Sequence, residues 1–445
     1  MENKQYIVAI EIGSSKIVGV LATKDNPNGL VSINHIEEVR ATECVRYGCI
    51  KNVEEVKHHI NTVISKLENY INGGSISSIY LNLAGRSVRN VTTTVDRHHE
   101  GETAITQATI TSMLHDGRDV SMKGFDVLDV VPRKFLVDNV ETKNPVGTFG
   151  SDITAVINAI VGKSTIKANL NRAIDPNVRV NEIILTPLAV ADTILSSDEK
   201  QLGCMLLDFG AETTTISIYK NAALVYLATL PLGGRNITRD IMSLNILEDK
   251  AEDLKKTVGN AIAANVSNST MHIDEISVGD VTKYVVARSG EIVANINEQL
   301  NIAGVKPEEL GAGIILIGGG AKLNGFAELV EKTTQLKVRR GGYPAHVNIL
   351  SQKGQNSDEY IQAVALATVA ATKISEGDNC IILNIKPVEE EKAVPEVKSV
   401  PEVEVKPKEE KNEKKEKKPG FAQKLLDGFK DLFNDGGADD GDDNF

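Results

Sequence analysis

Two acidic residues lie in matching settings far apart in the chain. Glu11 closes the apolar run YIVAI and is followed by Gly13, Ser14, Ser15 and Lys16. Asp208 ends the run GCMLL and is followed by Gly210, Thr213 and Thr214. Carboxylates facing each other across a cleft suit Mg²⁺, commonly through water. Glycine beside them lets backbone N–H groups approach a phosphate without a Cβ in the way. Ser14, Ser15, Lys16, Thr213 and Thr214 would then donate to phosphate oxygens. A third segment, ILIGGGAKLNGF, places Gly318, Gly319 and Gly320 between a strand and a helix, where a nucleotide can lie flat on the backbone. Glycine-rich turns are common singly. Three in this order point to a nucleotide site with Mg²⁺.

The elements that must hold these residues alternate strand and helix. YIVAIEIGSSKIVGVL (6–21) and GCMLLDFGAETTTISIY (203–219) each read as a β-hairpin: apolar strand, glycine turn, returning strand. Their likeness suggests a duplicated domain, with coincidence between two ordinary hairpins as the alternative. Residues 53–71 have helical periodicity, with Val56, Ile60, Val63, Ile64 and Leu67 on one face. SIYLNLAG (78–85) follows as a strand. Residues 86–165 read as short, mixed elements rich in Thr and charge, with a helix-like ITQATITSMLHDGRDV and a strand-like DVLDVVPRKFLVDN, consistent with an inserted subdomain. A helix at 166–175 leads to the strand and helix of NEIILTPLAVADTIL (181–195). ALVYLATLPLGG returns as a strand and ends at Gly233 and Gly234, before a helix. Helices are expected over 247–261, over GEIVANINEQLNIAG and over 360–374, whereas KYVVAR reads as a strand. The class is α/β.

Composition narrows the function. A chain of 445 residues calls for two to four domains. With 41% hydrophobic and 25% charged residues it has the make-up of a globular protein. A net charge of −12 argues against nucleic-acid binding. The absence of Trp and the 4% aromatic share weaken a carbohydrate-stacking or single-strand reading. Cys44, Cys49, Cys204 and Cys380 lack metal-site spacing and read as reduced packing residues. GKST at 162–165 is not a P-loop, because Ile157 stands where its first Gly belongs. GGGAKLNG lacks the spacing of a dinucleotide fingerprint. The N-terminus does not read as a signal peptide, nor any stretch as a membrane span. A cytoplasmic protein with peripheral membrane contact is expected.

That contact is expected at the C-terminal end. Residues 387–419 alternate Pro, Glu, Lys and Val, too polar for a core, and read as a disordered linker spanning roughly 30 Å. PGFAQKLLDGFKDLFND then places Phe421, Leu425, Leu426, Phe429, Leu432 and Phe433 within roughly 140° of one helical face. Lys424, Asp427, Lys430 and Asp431 fall opposite. An amphipathic helix over 420–435 beyond a linker suits a membrane surface; a protein groove is the alternative. One copy binds weakly because a short helix is costly to fold. Many copies on a polymer bind by avidity.

Taken together, the segments resemble the actin/Hsp70/sugar-kinase ATPase superfamily and, within it, the FtsA family of bacterial cell-division proteins. VAIEIGSSKIVGV resembles the first phosphate segment, LLDFGAETTTISIY the second and ILIGGGAKLNGF the adenosine segment. AEDLKKTVGNA (251–261) is similar to the helix whose Glu252 and Lys255 would flank ribose and adenine, LPLGGRNITRDI to the Gly-Gly turn before a helix, and KNPVG (143–147) to a pattern of the inserted subdomain. The resemblance covers about 1–386 plus the terminal helix. It implies a two-lobed actin-like fold of duplicated ribonuclease-H-like domains. Subdomain 1A would take 1–84, 166–197 and 351–386, and an inserted subdomain 1C would take 85–165. The second lobe would be 198–350, with 2B roughly 236–305, followed by the linker, the helix and an acidic tail over 436–445.

The implied site residues are Gly13, Ser14, Ser15, Lys16, Gly210, Thr213, Thr214, Gly233, Gly234, Glu252, Lys255, Gly318, Gly319, Gly320 and Lys322 for ATP. Glu11 and Asp208 would hold Mg²⁺. The implied function is a polymerising ATP-binding protein that links FtsZ to the cytoplasmic face of the membrane at the division site. Its implied partners are FtsZ, further copies of itself, an anionic membrane surface and other division proteins through 1C. A small-molecule kinase or a pilus-assembly protein of the same superfamily is the alternative. One departure bears on turnover: Thr186 stands before Pro187 where Hsp70-like relatives carry a water-orienting Glu. ATP binding is therefore better supported than hydrolysis. Glu212, beside the second turn, reads as a solvated turn residue.

The flanks of the terminal helix oppose each other. Lys411, Lys414, Lys415, Lys417 and Lys418 favour anionic headgroups, and Asp435, Asp439, Asp440, Asp442 and Asp443 repel them. Deleting 436–445 is expected to raise co-sedimentation with anionic liposomes at low salt; unchanged binding rejects an attenuating role for the tail.

Overall fold

The computed structural model describes residues 4–25, 29–41, 43–262 and 271–383. The linker 387–419, the helix 420–435 with Phe421, Leu425, Leu426, Phe429, Leu432 and Phe433, and the tail 436–445 lie outside the described residues. Among the described residues, no helix is long and apolar enough to cross a membrane.

The two acid-glycine segments are the first hairpins of two sheets with the same wiring. In the first sheet, Lys4–Ile12 pairs antiparallel with Lys16–Asp25, which pairs antiparallel with Val31–Arg40. On its other side Lys4–Ile12 pairs parallel with Ser78–Leu83, which pairs parallel with Arg179–Leu185. In the second sheet, Cys204–Phe209, Thr214–Lys220 and Ala223–Leu230 repeat the antiparallel trio. Ile314–Ile317 and Val338–Arg340 repeat the parallel pair. Five strands recur in the same order and the same directions, so the hairpins mark a duplication and not a coincidence.

The first core takes in both sheets, with Cys204, Leu206, Leu227, Ile315 and Ile317 joining it from the second, and the other face of the second sheet has a core of its own. The first is closed by helix Val53–Glu68, capped by the Asn52 side chain, which accepts the Glu55 N–H. Its buried residues are the five that the periodicity selects: Val56, Ile60, Val63, Ile64 and Leu67. Burying such side chains contributes about 1.5–3 kcal/mol each. Helix Ile361–Lys373 packs against both Lys4–Ile12 and Thr186–Ile194, and its alanines permit the close approach. The second core gathers Phe209, Ile237, Val285, Ile292, Ile296 and Phe326, with Phe209 and Phe326 stacked at 4.2 Å between ring centroids.

Two expectations are corrected. KYVVAR is not a strand; it lies inside one helix, Val278–Ala303. Val281, Val285, Ser289, Ile292, Val293, Ile296 and Leu300 are buried at helical spacing. The β-branched run is too short to separate strand from helix, and packing against helices Gly234–Ile241 and Phe326–Thr334 in the second core decides it. Over 86–165 the expected helix and strand hold, as Gln107–Asp116 and Phe125–Val137, but the elements are not short. Strands Arg89–Ala104, Phe125–Val137 and Phe149–Lys163 are long, and helix Gln107–Asp116 covers them. They hold a third core around Ile110, Met113, Phe135 and Ile157. The Thr and charged residues that obscured the pattern alternate along Arg89–Ala104 on its more exposed positions. This unit joins the second sheet through the pair Ala228–Arg89. Asn90 reinforces it by accepting the Leu227 N–H at 2.8 Å, and Asn158 by donating to the Leu224 carbonyl at 2.6 Å.

Gly19 shows how tightly the first layer is built. A Cβ there would land on Val63 Cγ1 and come within 2.9 Å of Leu67 Cδ1. Gly19→Val is expected to cost about 1–3 kcal/mol through overpacking, read as a lower chemical-denaturation midpoint.

Candidate nucleotide site

The two hairpin turns have the same geometry. Gly13 donates to the Lys16 carbonyl at 3.0 Å, and Gly210 donates to the Thr213 carbonyl at 2.9 Å. A Cβ on Gly13 would meet the Lys16 carbonyl at 2.9 Å and a Glu11 oxygen at 3.1 Å; one on Gly210 would meet the Thr213 carbonyl at 3.1 Å. Glycine is thus what leaves each turn open beside its acid. Gly318 is more constrained, with φ +94 and a Cβ position 2.7 Å from Asp208 Oδ1. Gly320 lies over the Phe209 ring, where a Cβ would stand 2.8 Å from it, whereas Gly319 faces open space.

Glu11 and Asp208 feel each other across the lobes. Burial pushes the Glu11 carboxyl up to about 7, Lys16 pulls it back, and the Asp208 charge raises it further. Burial lifts Asp208 to about 6 against the hydrogen bonds from Gln362. Gln362, in the first turn of the alanine-rich helix, donates to both Asp208 oxygens at 3.0 and 2.8 Å. Two carboxylates, hard oxygen ligands whose charge burial disfavours, suit a divalent cation. On donor chemistry, the pair fits Mg²⁺.

The remaining predicted residues fall into three groups. Gly233 and Gly234 lead the helix Gly234–Ile241 and dock on the second turn: Gly234 donates to the Gly210 carbonyl at 3.0 Å, and Arg235 to the Ala211 carbonyl at 2.7 Å. Lys255 reaches the same place. Its ammonium donates to the Gly234 carbonyl at 3.1 Å, Thr238 Oγ1 at 3.0 Å and Glu252 Oε2 at 2.6 Å. Burial raises the Glu252 carboxyl, but Lys255, its bond and that of Thr238 bring it below the ordinary range. Gly210, Gly234, Lys255 and Gly320 therefore converge.

Lys16 and Lys322 meet on a different element. Lys16 Nζ lies 3.0 Å from both Glu38 and Glu359 and 4.1 Å from the Tyr360 ring centroid. Lys322 Nζ bonds Ser357 at 3.1 Å and Asp358 at 2.7 Å. The segment before the alanine-rich helix thus holds one lysine from each lobe. Among the hydroxyls, Ser15 is exposed, Ser14 accepts the Gly48 N–H at 2.9 Å, and Thr214 donates to the Leu232 carbonyl at 2.7 Å.

Glu212 is not solvated, which corrects the sequence reading. It has 0% exposure and is ringed by Arg46, Arg235 and Arg239. Thr186 accepts from Asn82 Nδ2 at 3.2 Å, and Asn82 in turn accepts the Ile12 N–H at 2.7 Å. That spot holds neutral groups. Sequence reasoning missed Gln362, Glu359 and the arginines, because their partners are remote in sequence. A polar residue leading an otherwise apolar helix was the one available signal, for Gln362. One further group lies outside the predicted site: Cys44, Glu55 and His59 bring ligand atoms within 4.8 Å of one another. Burial pushes the Cys44 thiol up to about 11.

Comparison with known proteins places this geometry. A family model described as "Cell division protein FtsA" matches residues 205–371, and one described as "SHS2 domain inserted in FTSA" matches 85–161. The chain is 34% identical over 354 residues to "Cell division protein FtsA" of Porphyromonas gingivalis, covering 76% of this chain and 73% of that one. The chain belongs to the FtsA family. It is also 26% identical to the FtsA of Escherichia coli K12, over 82% of this chain and 90% of that one. Among solved structures, the "PilM-PilN type IV pilus biogenesis complex" resembles it with a TM-score of 0.59 at 16% identity, covering 83% of this chain and 99% of that one. That likeness shows the fold alone, so FtsA membership sets the pilus and kinase alternatives aside. This chain is an actin-like cell-division protein, and the long-stranded unit described above contains its SHS2 insertion.

The raised carboxyl of Glu11 has a thermodynamic consequence. Its folded pKa lies above the ordinary 4.5, so folding stability falls as pH rises from about 4.5 through about 7. Glu11→Gln removes that penalty. It is expected to stabilise the ligand-free protein by about 1–3 kcal/mol at pH 8, with the gain shrinking toward pH 5, read from melting curves at the two pH values.

Proposed function

We propose that this FtsA-family protein binds ATP between its two lobes and, as a polymer, tethers FtsZ to the cytoplasmic face of the membrane at the division site. The observation that carries the nucleotide part is the duplicated turn: two glycine hairpins, each beside a desolvated carboxylate, converge with a third glycine segment. A Cβ at Gly13, Gly210, Gly318 or Gly320 would press on the turn carbonyls, the acids or the Phe209 ring, so glycine is what lets the three segments come together.

In this reading the turns at 13–16 and 210–213 hold the phosphates by their N–H groups and hydroxyls. Lys255 and Glu252, with Gly233, Gly234 and Gly318–Gly320, form the nucleoside side. Lys16 and Lys322 lie near enough to the turns to balance phosphate charge once they exchange their acidic partners. When bound, Mg²⁺ would be held by Glu11 and Asp208, in part through water, and would offset charge on the phosphate oxygens. Thr186 and Asn82 supply hydrogen bonds there and no ionisable base, which favours a nucleotide-dependent assembly switch over rapid turnover.

The subdomain division belongs to this proposal: 1–84, 166–197 and 351–386 as 1A, 85–165 as 1C, 198–350 as the second lobe with 2B at 236–305. So do the roles of 1C in meeting other division proteins, of self-assembly, and of 420–435 in gripping an anionic membrane. The names of the relatives support division work. The amphipathic pattern of Phe421, Leu425, Leu426, Phe429, Leu432 and Phe433 supports the tether.

The test is a nucleotide-dependent polymerisation assay on lipid monolayers with FtsZ added. ATP with Mg²⁺ should promote assembly and FtsZ recruitment. Lys255→Ala should weaken ATP binding by tenfold or more, as expected for losing a charge-assisted contact of about 1.5–3 kcal/mol. Deleting 420–435 should abolish lipid recruitment while leaving ATP affinity unchanged. Saturable ATP binding that is indifferent to Lys255→Ala would refute the site assignment.

A further inference from the structure

The second phosphate turn carries a buried charge that phosphate binding does not call for. Glu212 sits two residues beyond Gly210 and has 0% exposure. It accepts the Tyr47 N–H at 2.7 Å and pairs with Arg46 Nε and Arg239 Nη2, each at 2.8 Å, and with Arg235 Nη1 at 3.3 Å. Arg235 and Arg239 lie on helix Gly234–Ile241 of its own lobe. Arg46 and Tyr47 belong to the other lobe, on the small hairpin joining Val45–Arg46 to Cys49–Ile50.

That hairpin holds the first turn as well. Gly48 donates its N–H to Ser14 Oγ at 2.9 Å. Tyr47 and Gly48 are successive left-handed residues, with φ +54 and φ +68. The conformation is uncommon for an aromatic residue, and it directs neighbouring N–H groups to two partners, one on each phosphate turn. A Cβ on Gly48 would stand 2.8 Å from Gly85 Cα, so the hairpin is wedged against the first lobe. The charge network continues outward, from Arg46 to Glu43 at 2.8 Å and from Arg235 to Glu248 at 3.0 Å.

We infer that Glu212 is a positioning residue that latches the two lobes over both phosphate turns, and that release of Arg46–Tyr47 from it is the opening step that lets nucleotide leave. The inference rests on the nucleotide reading above. Separating the lobes must break the Tyr47 and Arg46 contacts together and leave a desolvated carboxylate with fewer partners, a costly state. The latch therefore holds the lobes closed and couples their separation to the second turn.

The full-length chain tests this in two arms. In the first, hydrogen exchange of segments 43–50 and 205–215 is followed by mass spectrometry without nucleotide. Arg46→Ala should speed exchange in both segments, and unchanged exchange overturns the latch. In the second, release of a fluorescent ATP analogue is followed by stopped-flow chase. Arg46→Ala should accelerate release about tenfold, a loss of about 1.4 kcal/mol, and Arg46→Lys, which keeps the charge but not the fork, should recover part of it. A lower melting temperature with wild-type release would make the contact merely structural and overturn the gating role. Glu212→Gln should behave like Arg46→Ala; if it fails to fold, Arg46→Ala decides alone. If the wild-type protein shows no saturable binding of the analogue, the nucleotide reading fails, and the exchange arm still judges the latch.

Discussion

Desolvated charge at the junction of two sheets is the constraint around which this protein is organised. Glu11 and Asp208 each end the central strand of a lobe, and burial drives both toward neutrality. Lys16 offsets part of this at Glu11 but is itself engaged by Glu38 and Glu359. Gln362 supplies hydrogen bonds to Asp208 but no charge. A fold that keeps two such carboxylates facing each other holds a deficit that a divalent cation would remove. The glycines follow from the same need: a side chain at Gly13 or Gly318 would collide with the acids themselves.

The alanine-rich helix Ile361–Lys373 ties that junction to the rest of the molecule. Its body is buried against the first lobe, and its first turn reaches the second through Gln362. The segment just before it binds Lys16 of one lobe and Lys322 of the other. The 45–50 hairpin makes a second tie through Glu212 and Ser14. Lobe separation therefore works against two sets of polar contacts and against the apolar core that takes in both sheets.

Much of the architecture was legible in the sequence, because it rests on local patterns. The two hairpins, the five apolar positions of helix Val53–Glu68 and the strand–glycine–helix order at 314–334 follow from alternation, helical spacing and turn residues. Reading KYVVAR as a strand failed because Val and Tyr favour strands locally, while the second core fixes them at helical spacing. In the inserted unit the strand Phe125–Val137 was legible, whereas the length of Arg89–Ala104 was hidden by its polar face.

By itself the sequence determined which groups stand beside each glycine turn and that the turns are repeated, since both depend on neighbours a few residues apart. It also carries apolar residues at helical spacing over 421–433, which lie outside the described residues. Only the tertiary structure decided that Glu212 is a buried hub, that Gln362 serves Asp208, and that Lys16 and Lys322 share one acidic segment. Each of those pairings joins residues remote in the chain, and the desolvation that gives them their force exists only after the two sheets have come together.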